Sequence, residues 1–129
     1  RGRVGDTLDV SGATPLVHPE DVQRIRRIAS RLQIDDRVSE YAVRIARATR
    51  DWPGVSIGAG PRGGIALVRC ARAAALLAGR DFVTPDDVKA VALPALRHRI
   101  RISPELELEG QAPDQVLTAV LERVQAPRR

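Results

Sequence analysis

Apolar residues recur at three- and four-residue spacing in five stretches of the chain. That period predicts an all-α fold, a small bundle of about five helices with at most very short extended pieces in the connectors. Pro19 opens the first helix, with Glu20 and Asp21 in its first turn and Val22, Ile25, Ile28 or Ala29, and Leu32 along one face. Asp35 is the predicted N-cap of a second helix, from about Asp36 to Arg50. Its face is Val38, Tyr41, Ala42, Ile45 and Thr49, and Trp52 continues it as a partly buried anchor before Pro53-Gly54 ends the run.

The third helix is the apolar one. It is predicted from Pro61, with Gly60 as N-cap, to Ala78, with Gly79 as the stop. Apolar residues surround it almost completely, so it is expected at the buried centre, with Ile65, Leu67, Val68, Ala71 and Leu76 largely buried. Cys70 reads as a small core residue there. Thr84-Pro85-Asp86-Asp87 is a strong start for the fourth helix, with an N-cap hydroxyl, proline in first place and two carboxylates in the first turn. Asp87 can act as the capping-box acid, and Pro94 is expected to kink or split that helix. Pro113 opens the fifth helix, with Val116, Leu117, Val120, Leu121 and Val124 on its buried face, and Pro127 ends it.

Val55-Ser56-Ile57 is a short extended piece, and Phe82 and Val83 are expected to pack back onto the core. Between Ile102 and Gly110, Glu105, Glu107 and Glu109 alternate with Leu106 and Leu108, which predicts an extended segment. Residues 1–17 lack periodicity and carry Gly2, Gly5, Gly12 and Pro15, the composition of a linker. The helical domain is therefore placed at 18–126, with a tail at 127–129.

With 129 residues, one domain is expected. The net charge of +5 leaves an anionic partner open, but aromatics make up only 2% of residues, so no stacking platform for bases exists. The arginines are mostly interleaved with Asp and Glu, apart from Arg97, Arg99 and Arg101; no nucleic-acid or membrane partner is expected. Cys70 is the only cysteine, which excludes an internal disulfide. The absence of a membrane-length apolar run and of a signal peptide points to a cytoplasmic setting.

Self-sufficient catalysis finds no support. His18 and His98 have no ligand at metal spacing, so no metal site is expected. No nucleophile motif is present, and no Gly-x-x-x-x-Gly-Lys-Ser/Thr loop holds a nucleotide. One residue does stand out. Arg62 falls in the first turn of the third helix, where the dipole opposes a cation. Free N–H groups, a positive dipole end and a guanidinium together can hold an anion. On spacing alone, a solvated surface arginine is the better reading. Arg69 and Arg72 follow on the same side of the helix.

Gly58-Ala59-Gly60-Pro61-Arg62, an alanine-rich helix, and then Gly79-Arg80-Asp81-Phe82-Val83-Thr84-Pro85-Asp86-Asp87-Val88 resemble the C-terminal lid of MoxR-family AAA+ ATPases. Ala48-Thr49-Arg50 before the turn and Leu96-Arg97-His98-Arg99-Ile100 after it resemble the same family in the same order. The likeness spans roughly Pro15 to Gly110 and departs at Gly60, where the family usually has serine.

The resemblance implies a role that composition and periodicity do not show. Arg62 would be the catalytic sensor 2 arginine, reaching the γ-phosphate of ATP, with Gly60, Pro61 and Arg62 as the cofactor-binding turn. ATP and Mg²⁺ would be bound mainly by an ATPase subdomain outside this chain, to which residues 1–17 would be the linker. The fragment alone would not hydrolyse ATP, whereas its parent would. The implied function is chaperone-like assembly or activation of protein complexes by a ring oligomer, sometimes with von Willebrand factor A domain partners. Two other classes compete: a stand-alone basic helical DNA-binding module, and a non-catalytic protein-interaction adaptor.

Overall fold

In the computed structural model, residues 11–128 are described together with the backbone of residues 2–3 and 6–7. Six helices follow one another among the described residues: α1 Pro19–Ser30, α2 Asp36–Arg50, α3 Pro61–Leu77, α4 Pro85–Leu96, α5 Pro104–Leu108 and α6 Pro113–Arg123. The short strands are β1 Gly2–Arg3, β2 Asp6–Thr7, β3 Val55–Ile57 and β4 Arg101–Ile102. β1 pairs antiparallel with β2, and β3 with β4. Residues 1, 4–5 and 8–10 of the expected linker, and Arg129 of the expected tail, lie outside the described residues; residues 11–17 are exposed.

The helix starts follow their local chemistry. Asp35 accepts the Arg37 amide at 2.8 Å, and the Thr84 hydroxyl accepts the Asp87 amide at 3.3 Å. Every helix but α2 has proline at its start. At the other end of α3, Gly79 adopts φ +78° and Arg80 N–H closes onto the Ala75 carbonyl at 3.0 Å.

α3 packs against α4, α2 and α1, while α6 closes the other side of α2 and α4. Tyr41, Ile45, Leu67, Leu96, Leu117 and Val120 form the fully buried heart of this core. Trp52 is a half-buried anchor, as expected, with the Arg123 guanidinium 4.9 Å from its ring centroid.

Four expectations need correction. First, α3 is central but not buried all round. Gly63, Gly64, Leu67, Ala71 and Ala75 form its covered side, Val68 and Leu76 are half-buried, Ile65 is 58% exposed, and Cys70 is exposed. An alanine-rich helix is apolar on every side by composition, but its neighbours cover only some sides. Second, the apolar face expected on α1 is present but not covered: Val22, Ile25 and Ile28 remain 38%, 46% and 47% exposed, and only Leu32 past its end is buried. Third, residues 104–108 are helical rather than extended, because the Ser103 hydroxyl caps the Leu106 amide and Pro104 takes first place. This is the sixth helix beyond the expected five. Fourth, of the kink or split expected at Pro94 the split is absent: α4 runs through the proline to Leu96, although Pro94 has no N–H to give the carbonyl four residues back. Phe82 is a smaller departure. Its backbone bridges to Gln33 while its ring stays 49% exposed, and Val83 alone is buried.

Candidate functional site

The turn before α3 is held from below by α2. The Thr49 hydroxyl donates to the Ala46 carbonyl at 2.6 Å and accepts the Ala59 amide at 2.9 Å. Thr49 and Ala59 are 0% and 1% exposed, so both groups are satisfied inside the core. Gly58 lies directly on the next residue of α2: a Cβ there would sit 2.5 Å from Arg50 Cα. One turn into α3, a Cβ at Gly63 would meet Ala59 Cβ at 2.8 Å. Small residues at these places let α2, the turn and α3 close together.

That packing presents Arg62. Its side chain is exposed and makes no hydrogen bond or ion pair among the described residues. Gly60 is the N-cap, with φ −82°, and has no side chain to bond the first turn; the Gly63 amide turns back to the Gly60 carbonyl at 2.8 Å. A pocket of about 290 Å³ opens beside the turn, walled by Arg47 and Arg50 of α2, with Val43, Gly60, Pro61 and Ile65. Thus Gly60 and Pro61 border a cavity, and Arg62 stands next to them in the chain.

A second ordered element lies at the start of α4. Arg80 grips the Asp87 carboxylate with two nitrogens, one at 2.7 Å, and the same carboxylate accepts the Thr84 amide at 2.8 Å and the Thr84 hydroxyl at 3.0 Å. Hydrogen bonding from Arg80 holds the Asp87 carboxyl below its ordinary range. Burial pushes the other way, and the bonds from Thr84 add to the lowering. The capping role of Asp87 was legible in the sequence; its pairing with Arg80 was not.

Arg97 also has a partner: its Nε and Nη2 each lie 3.0 Å from the Asp114 carboxylate, pinning α4 to the first turn of α6. Arg99 donates to the Ala95 carbonyl at 3.2 Å. Arg72 is half-buried and donates from Nε to the Leu32 carbonyl at 3.3 Å, while Arg69 is exposed.

Sequence reasoning placed Thr49 on the inner face of α2 but missed its bond to the turn. The available signal was a hydroxyl at a core position, which needs a partner. It also missed Arg47 and Arg50 as pocket walls. Among the described residues no group of His, Cys, Asp and Glu could hold a metal ion, and no helix is long and apolar enough to cross a membrane.

The helical arrangement is that of a known domain class. Residues 47–120 match the family model for the AAA lid domain, and the chain belongs to that family. Its relatives make it the lid domain of a MoxR-like AAA+ ATPase. It is 31% identical to the chaperone MoxR1 of Mycobacterium tuberculosis, covering 91% of this chain and 35% of that protein. The uncharacterized protein YeaC of Bacillus subtilis is 37% identical over 88% of this chain and 35% of its own length. A crystal structure of a provisionally assigned ATPase from Cytophaga hutchinsonii superposes with a TM-score of 0.77 at 32% identity, over 84% of this chain and 36% of that one. The chain thus spans about a third of the length of these relatives.

Proposed function

We propose that this lid delivers Arg62 to the γ-phosphate of ATP held by a nucleotide-binding subdomain outside these 129 residues. The observation that carries the reading is an exposed guanidinium with no ion pair among the described residues, on a first turn fastened to the core through Thr49 and Gly58. A cation placed against the helix dipole favours an anion brought from elsewhere. Phosphoryl transfer depends on positioning and charge stabilisation, and an arginine on a rigid arm supplies both. Gly60 and Pro61 border the nucleotide in this reading, while the other subdomain supplies Mg²⁺ and the phosphate loop.

The length of the relatives supports a parent with a separate ATPase subdomain, and the family supports subunits arranged in a ring. The relative named chaperone MoxR1 supports a chaperone-like role in assembling or activating protein complexes. Von Willebrand factor A domain proteins as partners, and a cytoplasmic location, belong to the same proposal.

The test is steady-state ATPase turnover of the full-length parent. Arg62→Ala is expected to slow it by on the order of 10²-fold, about 2.7 kcal/mol in the barrier. The melting temperature should hardly move, because the side chain makes no contact that folding needs. Arg62→Lys should recover part of the rate, keeping the charge but losing the two-pronged geometry. Arg24→Ala, on the exposed surface of α1, serves as the control. Normal turnover in Arg62→Ala would remove the assignment.

A further inference from the structure

Away from the Gly58–Arg62 turn, α1 and α3 enclose a trough of about 520 Å³. Arg26 of α1 and Arg69 and Arg72 of α3 wall it, over a floor of Ala29, Ser30 and Ala73. No carboxylate lines it, and the ion pairs among the described residues, Arg37–Asp35, Arg80–Asp87 and Arg97–Asp114, use none of these arginines. The bond from Arg72 Nε to the Leu32 carbonyl steadies that side chain and leaves its two terminal nitrogens free to donate. Three like charges face one cleft, and no carboxylate among the described residues pairs with them. The apolar surface continues along α1. Val22 lies four and seven residues before Arg26 and Ala29, and Ile25 four before Ala29, so both extend the same side; they are 38% and 46% exposed.

We infer that this trough seats an acidic amphipathic helix of a separate partner protein. Small floor residues admit a helix, the apolar side chains of α1 meet its apolar face, and the arginines meet its carboxylates. A second copy of the described chain offers no such complement. Its densest acidic run, Glu105, Glu107 and Glu109, covers a helix of 5 residues and its C-cap, against walls of 12 and 17 residues. Asp21, Asp35 and Asp87 are engaged at helix starts. A nucleic-acid strand finds no aromatic residue in the trough to stack on. The inference does not depend on the role of Arg62, which lies outside the trough lining.

The experiment places the photocrosslinker p-benzoylphenylalanine at Ala73, an exposed position, in the full-length parent in its own cells. Crosslinked peptides are then sequenced by mass spectrometry. The expected product is one segment of a different protein with Asp or Glu beside an apolar helical face. Its yield should fall at least about fivefold with Arg69→Glu/Arg72→Glu, and fall in high salt when the crosslink is made on the purified complex. Arg26→Glu, at an exposed site, gives the same reading where the double variant fails to fold. Arg62→Ala should leave the yield unchanged while ATPase activity falls, which separates this inference from the preceding one. Crosslinks only to the parent's own chain, to nucleic acid or to a segment without carboxylates overturn it. So do absence of a product and indifference to charge reversal.

Discussion

The Thr49 hydroxyl accepts the backbone amide of Ala59 across 2.9 Å, and through that bond the end of α2 sets the start of α3. Both residues are sealed from solvent. Replacing Thr49 by valine keeps the shape and removes the hydroxyl, leaving the Ala59 amide buried without its partner. The expected loss is about 1–3 kcal/mol of stability in a urea titration, with Thr49→Ser retaining most of it. Equal midpoints for wild type and Thr49→Val would contradict this view of the turn.

Gly58 and Gly60, two residues apart, should respond in opposite directions. A Cβ at Gly58 falls 2.5 Å from Arg50 Cα and 2.7 Å from Arg50 N, which are backbone atoms that cannot turn aside. Gly58→Ala should therefore cost roughly 1–3 kcal/mol. At Gly60 nothing lies within 4 Å of a new Cβ, and φ −82° suits any residue. Gly60→Ser adds a cap acceptor and removes unfolded-chain freedom, for a gain of about 0.5–1 kcal/mol. Paired thermal melts check both, and a fall in melting temperature for Gly60→Ser would show the cap to be misjudged.

Asp87 should make stability depend on pH at the acid end. Its folded carboxyl titrates below its unfolded value, so its contribution is complete above the unfolded value near 3.8 and is lost as pH falls through the folded one. Asp87→Asn should destabilise at neutral pH by more than the roughly 1 kcal/mol of a cap residue, because the Arg80 grip goes with it. The gap between the two proteins should close as pH drops below the ordinary carboxylate range. A gap that stays constant down to acid pH would mean that the carboxylate charge is not what stabilises the loop.

Leu67 and Val68 are neighbours in α3 with different surroundings. Leu67 is 0% exposed among α2 and α4, so Leu67→Asp buries an unpaired charge and should cost about 3–5 kcal/mol, enough to unfold much of the chain. Val68 is half-buried and lines a second cleft, between α2 and α3, with Ser39, Val43, Arg69 and Arg72, so Val68→Asp should cost distinctly less. Circular dichroism of the two variants ranks them, and the reverse order would refute the side of α3 assigned to the core.

Helix boundaries were legible because they are written locally. Asp35, Pro61, Gly79, and Thr84 with Pro85 act through bonds to residues at most a few places away, and α2 and α4 begin, and α3 begins and ends, within a residue of where those signals put them. Residues 104–108 show the limit of period alone: alternating Glu and Leu reads as a strand, but the Ser103-Pro104 start turned the segment into α5. Arg62 was conspicuous from its own position, as a cation where the dipole opposes one. The sequence by itself therefore determined five of the six helices, where they start, and the arginine at the start of α3. Tertiary structure decided which sides of α1 and α3 are covered, that Thr49 holds the turn, and that Arg80 and Arg97 find Asp87 and Asp114. The physical reason is range: caps and turns close over a few bonds, whereas burial and pairing wait on which helix surfaces meet.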